Sequence, residues 1–193
     1  MPFLQGIHLN SINQSILFFY YFCSFMKWLD SYRQSLLNRQ AAKVTRTVRL
    51  CSPDQITKVG ILWMEKDERA YKFLYDYFKT PHLLVRYLCF TYDKEVKDSN
   101  MITPKDINWL GYPKVDQFQK FLQTEFDLLL NISVTPNFPL QVMTALSMAK
   151  LKMGWDNENK GLFDISIDIS NNPDPMFLAE QQIFYLKQFN KNT

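Results

Sequence analysis

Glycine is scarce in this chain: 5 residues in 193, none of them clustered. Phosphate-cradling loops need closely spaced glycines, because backbone amides reach a phosphate only where no Cβ intervenes. No glycine stands between Gly60 and Gly111, the stretch after the first predicted strand. That excludes G-x-G-x-x-G there, and a P-loop occurs nowhere. Histidine is rarer still, with only His8 and His82, so a histidine metal site or proton shuttle has little to draw on. The cysteines Cys23, Cys51 and Cys89 form no CxxC pair, which argues against zinc and against a thioredoxin-type centre. A reducing, cytoplasmic setting is the expectation. G-x-S-x-G is absent, so no serine sits on a nucleophile elbow. No metal, no cofactor and no catalytic residue is expected, and an enzyme is the less favoured reading.

Long hydrophobic runs are missing too. The longest near the N-terminus, "ILFFYYFCSFM" from Ile16 to Met26, is about half the 20 residues a spanning helix requires. Residues 1–15 carry no Lys or Arg, unlike a secretory signal. The segment 1–25 reads as an over-extended start ahead of Met26, or as a contact with a partner or membrane interface.

Aromatic residues, in contrast, are plentiful at 16%. They must be buried or offered to a partner. The net charge of +3 is unevenly spread: residues 1–49 sum to +5 and residues 50–193 to −2. From Lys27 to about Thr47 the pattern predicts a helix, with Trp28, Tyr32, Leu36 and Leu37 along one face. Lys27, Arg33, Arg39, Lys43, Arg46 and Arg49 make residues 26–49 a basic arm. Such an arm suits an acidic protein partner, RNA or an anionic membrane surface, without DNA sequence specificity.

Residues 50–193 alternate strands with helices. "KVGILWM" is a strand buried on both faces, followed by a helix with Tyr71, Leu74, Tyr75 and Phe78 inward. "HLLVRYLCFTY" is a second strand, and Asp106 is placed to cap a turn after it. A helix over about 114–123 turns Val115, Phe118, Phe121 and Leu122 inward. "FDLLLNIS", "PLQVMTALSMA", "LKMGW", the alternating "LFDISIDIS" and "PMFLAEQQIFYLKQF" complete the series. This order predicts a single three-layer Rossmann-like α/β sandwich, with a mostly parallel sheet of five or six strands and an N-terminal helical extension.

Ligands of open parallel sheets bind beyond the strand carboxyl ends. The candidate ligand-binding residues there are Asn131, Ser133, Asn137 and Trp155. The same Asn and Ser also suit turns and caps, and Pro139 suits a first helical turn. Asp164 and Asp168 share a strand face about 13 Å apart, too far for cooperation, and read as a wetted edge. Cys89 reads as an inert core thiol.

The phrases "KVGILW", "DINWLGYPK", "EFDLLLNISVTPNFPLQVMTALSMAKLKMGW" and "LFDISIDI" together resemble a family of small proteins from Bacteroidota, in which a basic N-terminal helix precedes a Rossmann-like domain. The likeness covers roughly residues 26–190, and "NFPLQVMTALSMAKLKMGW" is its most specific part. It implies no catalytic role. A fainter similarity, on Asp127, Leu128, Ala145, Leu146, Lys152, Gly154 and Trp155, points to the N-terminal half of heptosyltransferase-like glycosyltransferases, at scaffold positions alone. The expected function is that of a non-enzymatic adaptor, cytoplasmic or peripheral to the inner membrane, tethered to a protein or ribosome by the basic helix. The alternative is a small-ligand sensor or enzyme using Asn131–Asn137.

Overall fold

The structure, a computed structural model, describes residues 7–50, 52–95 and 98–189, with side chains from Cys23 onward apart from Val115. Residues 1–6 of the N-terminal segment, Cys51 and the His8 side chain lie outside that description. The chain divides into two compact units, one ending at Arg39 and the other starting at Gln40.

The first unit is one helix, α1, which spans Ile7–Ala41 and enters the second unit only with its last residues. It absorbs the apolar run expected to stand apart, and it stops short of the expected end near Thr47. Amides of Lys43 and Val44 bond the carbonyls of Gln40 and Ala41, closing the final turn. Beyond it Val44, Thr45, Thr47 and Val48 are β-branched and poor helix formers. Arg46 and Arg49 therefore lie on irregular chain, not on a helix.

The second unit is the α/β body. Its strands are β1 (Lys58–Met64), β2 (Leu84–Phe90), β3 (Met101–Ile102), β4 (Leu128–Asn131), β5 (Lys152–Gly154) and β6 (Ile165–Ser166). All pair in parallel, in the order β3-β2-β1-β4-β5-β6, which is the order of the doubly wound dinucleotide-binding folds. The helices are α2 (Glu68–Phe78), α3 (Val115–Leu122), α4 (Phe138–Leu146) and α5 (Pro175–Gln188).

Strand alternation sorts the core into two layers. Val59, Ile61 and Trp63 of β1 with Leu128 and Leu130 of β4 pack on Leu74 and Phe78 of α2 and on Leu178 and Ile183 of α5. Leu62 and Met64 with Leu129 face Phe118 and Phe121 of α3 and Leu140 and Met143 of α4. Leu128, Leu129 and Leu130 are each at most 1% exposed, and burying each stabilises by about 1.5–3 kcal/mol. The expected three-layer Rossmann-like sandwich is the observed one. Tyr71 stacks on Trp63 with ring centroids 4.2 Å apart and planes 4° from parallel.

Both edges of the sheet are short. β3 leaves no mark in the sequence, since two residues give no periodicity. β6 keeps only two residues of the longer edge strand expected from "LFDISIDIS".

At the amino ends of β1 and β4, Asp127 ties the centre of the sheet together. It is 6% exposed and accepts bonds from Thr57 N (2.9 Å), Thr57 Oγ1 (2.8 Å) and Lys58 N (3.0 Å). Lys150 Nζ lies 2.7 Å away. Burial alone raises its pKa, but Lys150 and the Thr57 and Lys58 donors outweigh that and hold it at about 2.

Candidate functional site

In a sheet of this order the strand sequence reverses between β1 and β4, and the crevice beyond their carboxyl ends is where a ligand would lie. Here that crevice is crossed by the chain itself. Lys66, in the turn after β1, donates from Nζ to Thr135 Oγ1 in the loop after β4 at 2.6 Å. On the other side Thr91 Oγ1 donates to Glu65 Oε2. The loop after β1 thus closes on its neighbours with polar contacts where a dinucleotide site would offer open amides.

The residues named as candidates lie next door, around a small cavity between the carboxyl ends of β4 and β5. It brings together Asn131, Ser133, Asn137 and Trp155. Each of the first three is engaged by its own chain. Asn131 Nδ2 donates to Thr144 Oγ1 of α4 at 3.0 Å, and its Oδ1 accepts from Ser133 N at 2.9 Å. Ser133 Oγ donates to Thr135 O at 2.8 Å. Asn137 is the N-cap of α4, its Oδ1 accepting from Leu140 N at 3.0 Å, with Pro139 in the first turn.

The far wall is held by Asp156. Its carboxylate accepts from Lys160 N (2.9 Å) and Gly161 N (2.7 Å), fixing the 156–161 turn. Gly161 adopts φ +68° there, which favours glycine. The cavity volume is about 30 Å³, far below the roughly 300–1,000 Å³ of typical small-molecule sites.

The basic arm does not act as one surface. Lys27, Arg39 and Lys43 are exposed, while Arg33 pairs with Asp30 at 2.9 Å. Arg46 is taken up by the body. Its guanidinium grips Asp164 through two bonds of 2.9 and 2.6 Å and donates to Ala149 O at 3.1 Å. Arg49 bonds Lys150 O through its amide. The same Asp164 accepts from Lys152 N at 2.8 Å, so it is a fastening for residues 46–49 rather than a free edge carboxylate. Asp168 bonds Ser170 instead.

Trp109 is 79% exposed, whereas Tyr112 is buried edge-on against Phe138 and is not offered to a partner. Burial first, then Glu65 and Asp67, push the Cys89 thiol up to about 12, so it stays protonated and unreactive at neutral pH.

Lys152, which the sequence marks only as a scaffold position, is a lysine in an apolar run. It is 3% exposed, donates from Nζ to Ala145 O at 3.1 Å, and has its pKa lowered to about 7 by burial and then by Arg46, against Asp164. A lysine pKa depressed on folding means that the unfolded chain binds more protons between about 7 and the ordinary 10.5. Wild-type stability should therefore rise with pH across that window and be level below it, as far as this group decides. Urea unfolding at several pH values checks this, and Lys152→Met should flatten the rise.

Among the described residues no helix is long and apolar enough to cross a membrane, and no cluster of three or more His, Cys, Asp or Glu is arranged to hold a metal ion. No curated protein and no solved structure matches the chain. Residues 27–189 match the model of a family of unknown function, DUF6913. With most of its length inside that match, the chain belongs to the DUF6913 family.

Proposed function

We propose that this protein is a non-enzymatic adaptor whose α1 helix docks on a protein partner. The supporting observation is an aromatic ladder on α1. Phe25, Trp28 and Tyr32 stack in sequence, with centroids 6.0 and 5.7 Å apart, and are 55, 59 and 47% exposed. Single exposed apolar residues are ordinary, but three stacked rings at i, i+3 and i+7 form a continuous stripe of the kind helices lay into grooves. Arg39, exposed two turns beyond Tyr32 on the same face, sets a positive charge at the end of the stripe, so the partner's groove is apolar with an acidic end.

The competing reading, a ligand on Asn131–Asn137, would require that loop to give up its own cap and turn bonds. The adaptor acts in the cytoplasm of a bacterium whose relatives include the Bacteroidota proteins it resembles. The free thiols of Cys23 and Cys89 support a reducing compartment.

A photo-crosslinking residue in place of Tyr32, in the cell that makes the protein, tests this directly. One protein adduct is expected. A Trp28→Ser change in the same chain should reduce its yield about tenfold or more, the loss of a hot-spot aromatic. Flotation of the purified protein with anionic vesicles, or salt-sensitive RNA retention in place of a protein adduct, would overturn the reading.

A further inference from the structure

Helix α5 carries large side chains on two opposite faces. Leu178, Ala179, Gln182, Ile183 and Leu186 are buried against the body, which turns Phe184 to the far side of the helix. Phe184 is 52% exposed and meets Tyr185, 43% exposed, edge-on with centroids 5.4 Å apart. Tyr77, near the end of α2, lies alongside: it is 37% exposed, and Lys187 of α5 sits over its ring at 5.3 Å. A surface helix ordinarily sets polar residues opposite its buried stripe, and one that is apolar on both sides is normally covered on both. Exposed rings gathered in this way mark contact surfaces.

The polar residues around Phe184 decide what covers it. Glu180, four positions before it, and Lys187, three after it, are exposed on one flank of its face. Gln181, three before, and Gln188, four after, stand on the other flank. This pattern is its own complement. When a second α5 lies antiparallel with Phe184 on Phe184, a two-fold axis sets the Glu180 of each copy beside the Lys187 of the other. The same axis sets each Gln181 beside the other copy's Gln188, where two amides can exchange hydrogen bonds. A parallel pairing would oppose like charges. An anionic membrane surface would accept the rings but repel Glu180, and Asp76 exposed next to Tyr77.

We infer that α5 is the centre of a two-fold symmetric dimer interface whose occupant is a second copy of this chain. Phe184 packs on its counterpart at the axis, the Glu180–Lys187 and Gln181–Gln188 pairs flank it, and Tyr185 and Tyr77 enlarge the apolar surface. α5 belongs to the body, so this dimer forms whatever α1 binds.

Sedimentation velocity of the full chain tests it. At about 100 μM, well above the micromolar Kd of a modest interface, wild type should sediment as twice the 23.0 kDa chain. Phe184→Asp sets two carboxylates face to face on the axis and should weaken dimerisation about tenfold or more. Glu180→Lys makes the charged flank wholly basic and Lys187→Glu makes it wholly acidic, so each variant alone should shift towards monomer. Mixed in equal amounts they should dimerise again, because every pair across the axis is once more opposite in sign. These changes fall at exposed positions, and recovery in the mixture shows that both variants are folded. A wild-type monomer at that concentration would overturn the inference. So would a dimer indifferent to Phe184→Asp and to both charge changes, which would place self-association on another surface. A mixture with no more dimer than either variant alone would overturn it as well.

Discussion

Asp127→Ala is expected to destabilise the protein by about 2–4 kcal/mol, the range for removing one partner of a largely buried, multiply bonded ion pair. Such a loss is a large fraction of the stability of a domain this size. The change removes the acceptor that two main-chain amides, a hydroxyl and the Lys150 ammonium share at the amino ends of the two central strands. The effect depends on pH, and its sign is fixed by the depressed pKa. A carboxylate ordinarily near 3.8 and held at about 2 stabilises the fold above 3.8, and that contribution disappears as pH falls through about 2. Urea unfolding of wild type and Asp127→Ala should show a gap that is full at pH 6 and narrows in acid, between about pH 4 and 2. A gap of the same width throughout would mean that the carboxylate charge contributes nothing.

Gly154→Ala is expected to cost about 1–3 kcal/mol by overpacking, although it adds one methyl. A Cβ at Gly154 would stand 2.3 Å from Cε1 and 2.4 Å from Cζ of Phe163, far inside van der Waals contact. The clash is with the side of a ring, so the ring must swing aside. Phe163 lines the same cavity as Trp155 and Leu162, and its displacement would loosen the wall that Asp156 holds. The cause can be isolated by a double-mutant cycle. Gly154→Ala should be nearly harmless in a Phe163→Ala background, giving a coupling comparable to the single-mutant cost. Equal costs in both backgrounds would place the strain elsewhere, for example in the β5 backbone.

Much of the fold was legible because its signals are local and repetitive. "KVGILWM" and "FDLLL" are strands in any reading, since continuous β-formers flanked by charge suit burial on two faces. Phe118, Phe121 and Leu122 fall at helical spacing and are buried as that spacing predicts. The end of α1 was harder. Basic residues continue past Ala41, and charge, unlike the β-branched run at 44–48, does not report helix termination. The site was least legible because its features are pairings across long stretches of sequence. Nothing near Arg46 announces Asp164, 118 positions away, and nothing near Lys66 announces Thr135. Asn131 and Asn137 illustrate a different limit: the residue types that greet a ligand are the ones that fasten a turn, and only geometry separates the two.

The two-residue strands at either margin have a consequence for how molecules of this protein behave together. A long bare margin invites another chain to add itself by main-chain hydrogen bonding, which is a common route to fibrils. β3 and β6 expose too few consecutive amides and carbonyls to template such growth. Crowded copies should therefore resist sheet-to-sheet polymerisation, leaving the helical surfaces to govern any self-association.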